Sequence, residues 1–116
     1  MQYLFILNDP PYGTERSYNG LRLAASLAKS EGTSVSVFLM GDAASCAASG
    51  QTTPNGYYNI ERMLRLLAAK RAPIGVCGSC MDARGIKPEM LAESAHGSSM
   101  AELTSWTEAA NQVLVF

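Results

Sequence analysis

Four short apolar runs punctuate this chain, Met1–Leu7, Ser34–Met40, Ile74–Cys77 and Val113–Phe116, and stretches of helical period separate them. Unbroken hydrophobicity over so few residues suits strands buried on both faces, as in a parallel sheet. From Glu15 to Lys29, Tyr18, Leu21, Ala25 and Ala28 recur at helical spacing, and Leu23, Ala24 and Leu27 widen the stripe. Thr14 is placed to cap that helix and Gly32 to stop it. Ala43–Ala48 reads as a short helix of small residues. Asn59 can cap a helix from Ile60 to Lys70, whose apolar face is Ile60, Met63, Leu64 and Leu67. Lys87–Ala92 reads as a short helix with proline in its first turn. Ser99 to Glu102 has capping-box spacing and opens a helix through Ala110, with Met100, Leu103, Trp106 and Ala110 on one side. A weak strand near Ala95–His96 precedes it. Strands alternating with helices predict one domain over residues 1–116. Its expected form is an α/β fold: three α/β/α layers around a mostly parallel sheet of about five strands.

Composition narrows the function classes. Among 116 residues, 47% are hydrophobic and only 16% charged, with net charge −1 and no cluster of Lys and Arg. Nucleic acid is therefore not an expected partner. No apolar run approaches the roughly 18 residues of a membrane span. The start of the chain lacks the basic residues and cleavage site of a secretory leader, and three cysteines are too few for a secreted disulfide framework. Both point to a reducing cytoplasm. Sparse charge leaves apolar surface for contacts between subunits, so a homo-oligomer is expected. With neither a glycine-rich dinucleotide fingerprint nor a phosphate-binding loop, no organic cofactor is implied.

The chemistry-bearing stretch is Cys77-Gly78-Ser79-Cys80, where the third apolar run meets Met81-Asp82-Ala83-Arg84-Gly85. A thiol at such a strand-to-helix turn faces free N–H groups and the positive end of the helix dipole, which favour the thiolate. Arg84 lies four residues after Cys80 and adds positive charge to the same helical face; Asp82, Asp42 or a carbonyl would be its structural partner. Gly78 and Ser79 supply amides for an anionic sulfur, and Gly78 permits close approach of another chain. In a parallel sheet the residues after strands share one edge, so Asn8 and Tyr12 are candidate pocket residues, and Gly41-Asp42 falls there too. Cys46 reads as core filler, and His96 as a loop or strand-end residue.

Several chemistries use such a pair. Structural zinc needs about four ligands, and beyond Cys77 and Cys80 only Cys46 and His96 remain, without paired spacing, so no metal is expected. A phosphatase-type loop needs arginine six residues after its cysteine, where Ala83 or Ile86 stands. Thiol–disulfide exchange fits two thiols two residues apart, although Ser79 replaces the usual proline. Sulfane-sulfur transfer through a persulfide fits as well. So does a non-catalytic oligomeric binding module whose thiols sense oxidation.

The whole chain resembles the DsrE/DsrF-like family of small sulfur-relay proteins, in its YchN-like branch. The resemblance runs through Pro11-Tyr12-Gly13, Asn19, Leu21-Arg22-Leu23-Ala24, Phe38-Leu39-Met40-Gly41-Asp42-Ala43, Gly56-Tyr57 and Tyr58-Asn59-Ile60. It is most specific in Cys77 to Gly85, with Glu102-Leu103, Trp106-Thr107 and Val113 to Phe116 behind it. It implies a persulfide on Cys77, which precedes Arg84-Gly85 at the family's spacing, and a sulfurtransferase or sulfur-carrier role. It also implies a homo-oligomer, trimer or hexamer, with sulfur donor and acceptor proteins as partners. Cys80 is an extra thiol relative to the family's sulfur carriers, with a resolving, protective or redox role.

Overall fold

Each apolar run forms a strand, and a fifth strand joins them. A computed structural model describes all residues 1–116. The order along the chain is β1 (Gln2–Leu7), α1 (Arg16–Leu27), β2 (Ser34–Leu39), a 3₁₀ segment (Gly41–Ala47), α2 (Ile60–Ala69), β3 (Ile74–Cys77) and α3 (Gly78–Ala83). A 3₁₀ turn (Pro88–Met90), β4 (His96–Ser98), α4 (Met100–Ala109) and β5 (Gln112–Val115) complete it. The five strands are all parallel, in the order β4-β3-β2-β1-β5. No helix is long and apolar enough to cross a membrane.

The topology dictates the layers. Chain progress from β1 to β4 steps one way across the sheet, so right-handed crossovers put their helices on one face; the return from β4 to β5 puts α4 on the other. The packing agrees. Phe5, Leu7, Val35, Val37, Leu39, Ile74 and Val76 bury against Leu21 and Ala24 of α1 and Leu64 and Leu67 of α2, with Ala43, Ala44, Cys46 and Ala47 between. On the opposite face Leu4, Phe38 and Cys77 pack under Leu103, with Trp106 and Ala110 alongside. This second face carries one helix only. Val113 and Val115 of β5 remain 40% and 64% exposed, and Met100 on α4 is 62% exposed.

Local differences from the sequence reading have identifiable causes. Thr14 does not cap α1: its hydroxyl donates to Asp9 (2.9 Å) while accepting the Arg16 N–H, and the helix starts after Glu15. The helix ends at Leu27, ahead of Gly32, which serves the following turn at φ 72°. Leu23, expected in the buried stripe, is 39% exposed, because Ser17, Gly20, Leu21 and Ala24 form the inner face. Gly20 is there because a Cβ would meet Leu7 at 2.8 Å and the Phe116 ring at 3.1 Å. The helices expected at Ala43–Ala48 and Lys87–Ala92 are 3₁₀ segments, over Gly41–Ala47 and Pro88–Met90. Asn59 caps α2 as expected, accepting the Arg62 N–H.

Gly75 carries the tightest packing on the second face. Phe38, Gly75 and His96 lie in register across β2, β3 and β4, and the Trp106 indole covers the row, edge-on to Phe38 (87°) and His96 (74°). A Cβ on Gly75 would stand 3.2 Å from Phe38, Ser98 and Trp106 at once. Gly75→Ala is therefore expected to lower unfolding free energy by about 1–3 kcal/mol through overpacking. Gly97→Ala, with open space at the added methyl, is expected to be neutral or to stabilise by up to about 1 kcal/mol. Urea denaturation of both variants checks the contrast; equal effects would contradict the packing argument.

Candidate active site: a dithiol at the end of the third strand

No connecting residue separates β3 from α3. Cys77 is the last residue of the strand and the N-cap of the helix. Its Sγ accepts the Cys80 N–H (3.4 Å) and lies 3.3 Å from the Ser79 hydroxyl. Sulfur thus takes the place that a Ser or Asp oxygen holds in an ordinary cap. So abrupt a turn brings α3 hard against β4: a Cβ on Gly78 would stand 2.9 Å from the Ser98 carbonyl. The close approach expected at Gly78 is made by this chain's own β4.

Cys80 is half-buried, and its Sγ accepts the Gly41 N–H at 3.1 Å. Gly41 begins the segment after β2 with φ 53°, a left-handed conformation that aims the amide at the sulfur. The neighbouring Asp42 Oδ1 accepts Nε and Nη2 of Arg84 at 3.1 and 3.0 Å. Arg84 Nη1 donates to the Cys80 carbonyl (3.2 Å), so two of the foreseen structural partners hold it together. The Arg84–Asp42 pair is well exposed, and its value is about 0–1 kcal/mol. Its main effect is to lock α3 to the end of β2.

The two thiols differ electrostatically. Burial pushes the Cys77 thiol up, but hydrogen bonds from the Cys80 thiol, the Ser79 hydroxyl and the Cys80 and Ser79 amides outweigh it and hold the thiol below its ordinary value. Burial pushes Cys80 up, as do its bond to Cys77 and the charge there, against the Gly41 amide and Arg84. The pair is polarised: Cys77 ionises first and Cys80 keeps its proton. Cys46 stands apart, fully buried, with its Sγ 3.7 Å from the Asp9 carbonyl, and burial pushes its thiol up to about 12. It is core filler.

Access is limited. Cys77 retains 8% of its surface, less than the open thiol the sequence implied, because Leu103 and Phe38 close over it from the second face. Beside it, Ser79 is exposed. A groove of about 570 Å³ between α2 and residues 91–94 contains neither thiol. The candidate site is a rim outside that groove. No three His, Cys, Asp or Glu side chains converge to hold a metal ion.

Asn8 and Tyr12 do follow β1, yet neither side chain turns to the sulfurs. Asn8 donates to the Phe116 carbonyl (3.3 Å); only its own carbonyl nears the site, 3.6 Å from where a Cβ on Gly41 would stand. The Tyr12 hydroxyl donates to Gln51 (2.7 Å) and accepts the Ile60 N–H (3.1 Å), pinning the start of α2. Sequence reasoning missed a cluster beside Cys77. Ser98, in register with Cys77 on β4, donates to Glu102, which also bonds His96. The Ser98 bond acts most on the Glu102 carboxyl; with His96 it outweighs burial and holds the group below the usual range. The capping-box spacing of Ser99 and Glu102 was the available signal. Ser99 does accept the Glu102 N–H, but the Glu102 carboxylate turns to β4.

The family's sequence profile matches residues 1–116 in full. The chain belongs to the DsrE/DsrF-like family. It is 38% identical over 114 residues to protein YchN of Escherichia coli K12, covering 97% of each chain. It is 34% identical over 116 residues to MJ0989 of Methanocaldococcus jannaschii, covering both chains entirely. The crystal structure of E. coli YchN superposes with a TM-score of 0.90 over 100% of both chains. MTH1491 of Methanobacterium thermoautotrophicum, at 13% identity and TM-score 0.75 over 97% of each chain, shares the fold.

The site's polarity gives a direct expectation. Alkylation proceeds through the thiolate, so its rate rises as pH climbs through the pKa of each cysteine. The midpoint for Cys77 is expected below the ordinary value of about 8.5 and that for Cys80 above it, with Cys46 silent in the native state. Peptide mapping after timed iodoacetamide pulses across pH checks this. The reverse order would remove the polarised pair.

Proposed function

We propose that this protein handles sulfane sulfur, carrying it as a persulfide on Cys77 and passing it to an acceptor thiol. Membership of the DsrE/DsrF-like family supports a role in sulfur relay. The observation that carries the finer reading is the cap geometry of Cys77, whose sulfur receives the Cys80 amide and sits against the Ser79 hydroxyl. Those donors favour the attacking thiolate, and they also stabilise negative charge on a sulfur attached there. Attack of the thiolate on the outer sulfur of a donor persulfide forms the new S–S bond; the donor leaves as its thiolate. Attack by an acceptor thiolate on the carried sulfur reverses the exchange.

In this reading Arg84 is a positioning residue, holding α3 through Asp42 and the Cys80 carbonyl. Gly78 lets α3 start against β4. The donor and acceptor are proteins or small molecules that can reach a rim with little exposed surface. Thiol–disulfide exchange is the alternative, favoured by the contact between the two cysteines.

Incubation with a persulfide donor, followed by intact mass, tests the assignment. One added sulfur is expected in Cys80→Ser and none in Cys77→Ser; equal uptake by both would reject Cys77 as the carrier.

The proposal includes assembly with further copies of the same chain. The second face of the sheet is covered by α4 alone and leaves Val113, Val115 and Met100 open, in a protein with few charges to keep such a surface solvated. Light scattering after gel filtration is expected to give a mass above one chain, and Val115→Lys to reduce it. A monomeric parent protein would reject self-assembly.

A further inference from the structure

We propose that Cys80 discharges Cys77 within the same chain, releasing the carried sulfur as hydrogen sulfide and leaving a Cys77–Cys80 disulfide. The protein would then be a thiol-dependent reductase of sulfane sulfur as well as a carrier. This rests on the persulfide reading above and adds an outcome for the carried sulfur.

The geometry of the second thiol motivates it. Cys80 lies three residues after Cys77 on the first turn of α3, so both sulfurs share one face of the helix. The Cys80 amide already touches the Cys77 sulfur at 3.4 Å. Its own sulfur accepts the Gly41 N–H at 3.1 Å, and its carbonyl accepts Arg84 Nη1 at 3.2 Å. A backbone amide from the end of β2 thus reaches the Cys80 sulfur directly. Cys46, by contrast, is fully buried, and its thiol is pushed up to about 12.

The chemistry closes on these groups. The loaded state is a Cys77 persulfide anion beside a protonated Cys80 thiol. The Cys80 proton passes to the outer sulfur, and the Gly41 amide stabilises the resulting thiolate. That thiolate attacks the Cys77 Sγ, forming the Cys77–Cys80 bond. The bond from Cys77 to the outer sulfur breaks, and its electron pair leaves with hydrosulfide. The outer sulfur gains two electrons, and the two cysteines lose them. An external low-molecular-weight thiol or a protein dithiol then reduces the disulfide by two exchange steps and resets the site. The proton that the outer sulfur takes up is on Cys80 at rest.

The experiment uses the full chain, reduced and freed of reductant, mixed with one equivalent of glutathione persulfide. Sulfide is trapped with monobromobimane, and the products are mapped by mass without reduction. The parent protein is expected to release sulfide and to acquire the Cys77–Cys80 disulfide. Cys80→Ser is expected to hold the added sulfur on Cys77 and release sulfide at least about tenfold more slowly, the loss expected when a neighbouring reactant is removed. Sulfur retained on Cys77 of the parent without a disulfide, sulfur that moves to Cys80, or equal sulfide release by both proteins would overturn the discharge step and leave the carrier reading intact. A glutathione adduct on Cys77 of Cys80→Ser, in place of added sulfur, or no uptake by either protein, would overturn both.

Discussion

The structure turns on one residue serving two elements. Cys77 ends β3 and caps α3, so the chain reverses from strand to helix without a linker. Sulfur is a weak acceptor, and a cysteine cap satisfies the free amides of a helix less well than serine or aspartate would. The weak cap is compensated around it. Arg84 ties the short helix to Asp42, Met81 packs into the main core, and Gly78 lets the helix start against the Ser98 carbonyl. A six-residue helix has little intrinsic stability, so these contacts hold it and, with it, the position of the thiols.

Parallel topology gathers the rest. Because all five strands run the same way, the residues after β1, β2, β3 and β4 emerge at one edge. Gly41 and Asp42 reach the dithiol from β2, and Ser98, with Glu102 behind it, reaches it from β4. The Trp106 indole over Gly75 ties that edge to α4. The second face is therefore both the wall of the site and the less completely covered side of the sheet. Contacts made there by another copy of the chain would act on the surroundings of Cys77.

Much of this was legible in the residues, for reasons that differ by element. β1, β2 and β3 are continuous apolar runs because helices cover their central positions, and that burial writes itself into composition. β5 is an edge strand yet keeps its apolar run, with Val113 and Val115 exposed; β4, at the other edge, is His-Gly-Ser and carries no such signal. Asn59 was readable as a cap because local spacing decides it. Thr14 was not, because α1 starts one residue later, after Glu15, and the Thr14 hydroxyl joins Asp9 to the Arg16 N–H instead. For the site, the dithiol and its helix start were visible in sequence, and so was Asp42 as a partner for Arg84. The Gly41 amide and the Glu102 cluster come from register across strands, which no local pattern encodes. Leu103 and Phe38 lower the exposure of Cys77 for the same reason.

That partial burial bears on how the thiols divide their work. A fully exposed thiolate exchanges with any disulfide in solution, and a sealed one is inert. Cys77 sits between these limits, its thiol held below the ordinary value by local donors against the effect of burial. Its partner inverts the balance: Cys80 is more accessible, yet burial, its bond to Cys77 and the adjacent charge keep it protonated. The lower pKa and the greater exposure thus fall on different residues. The division comes from neighbours on different elements, Leu103 and Phe38 packed with Cys77 and the Gly41 amide on the Cys80 sulfur, so neither cysteine would show it alone.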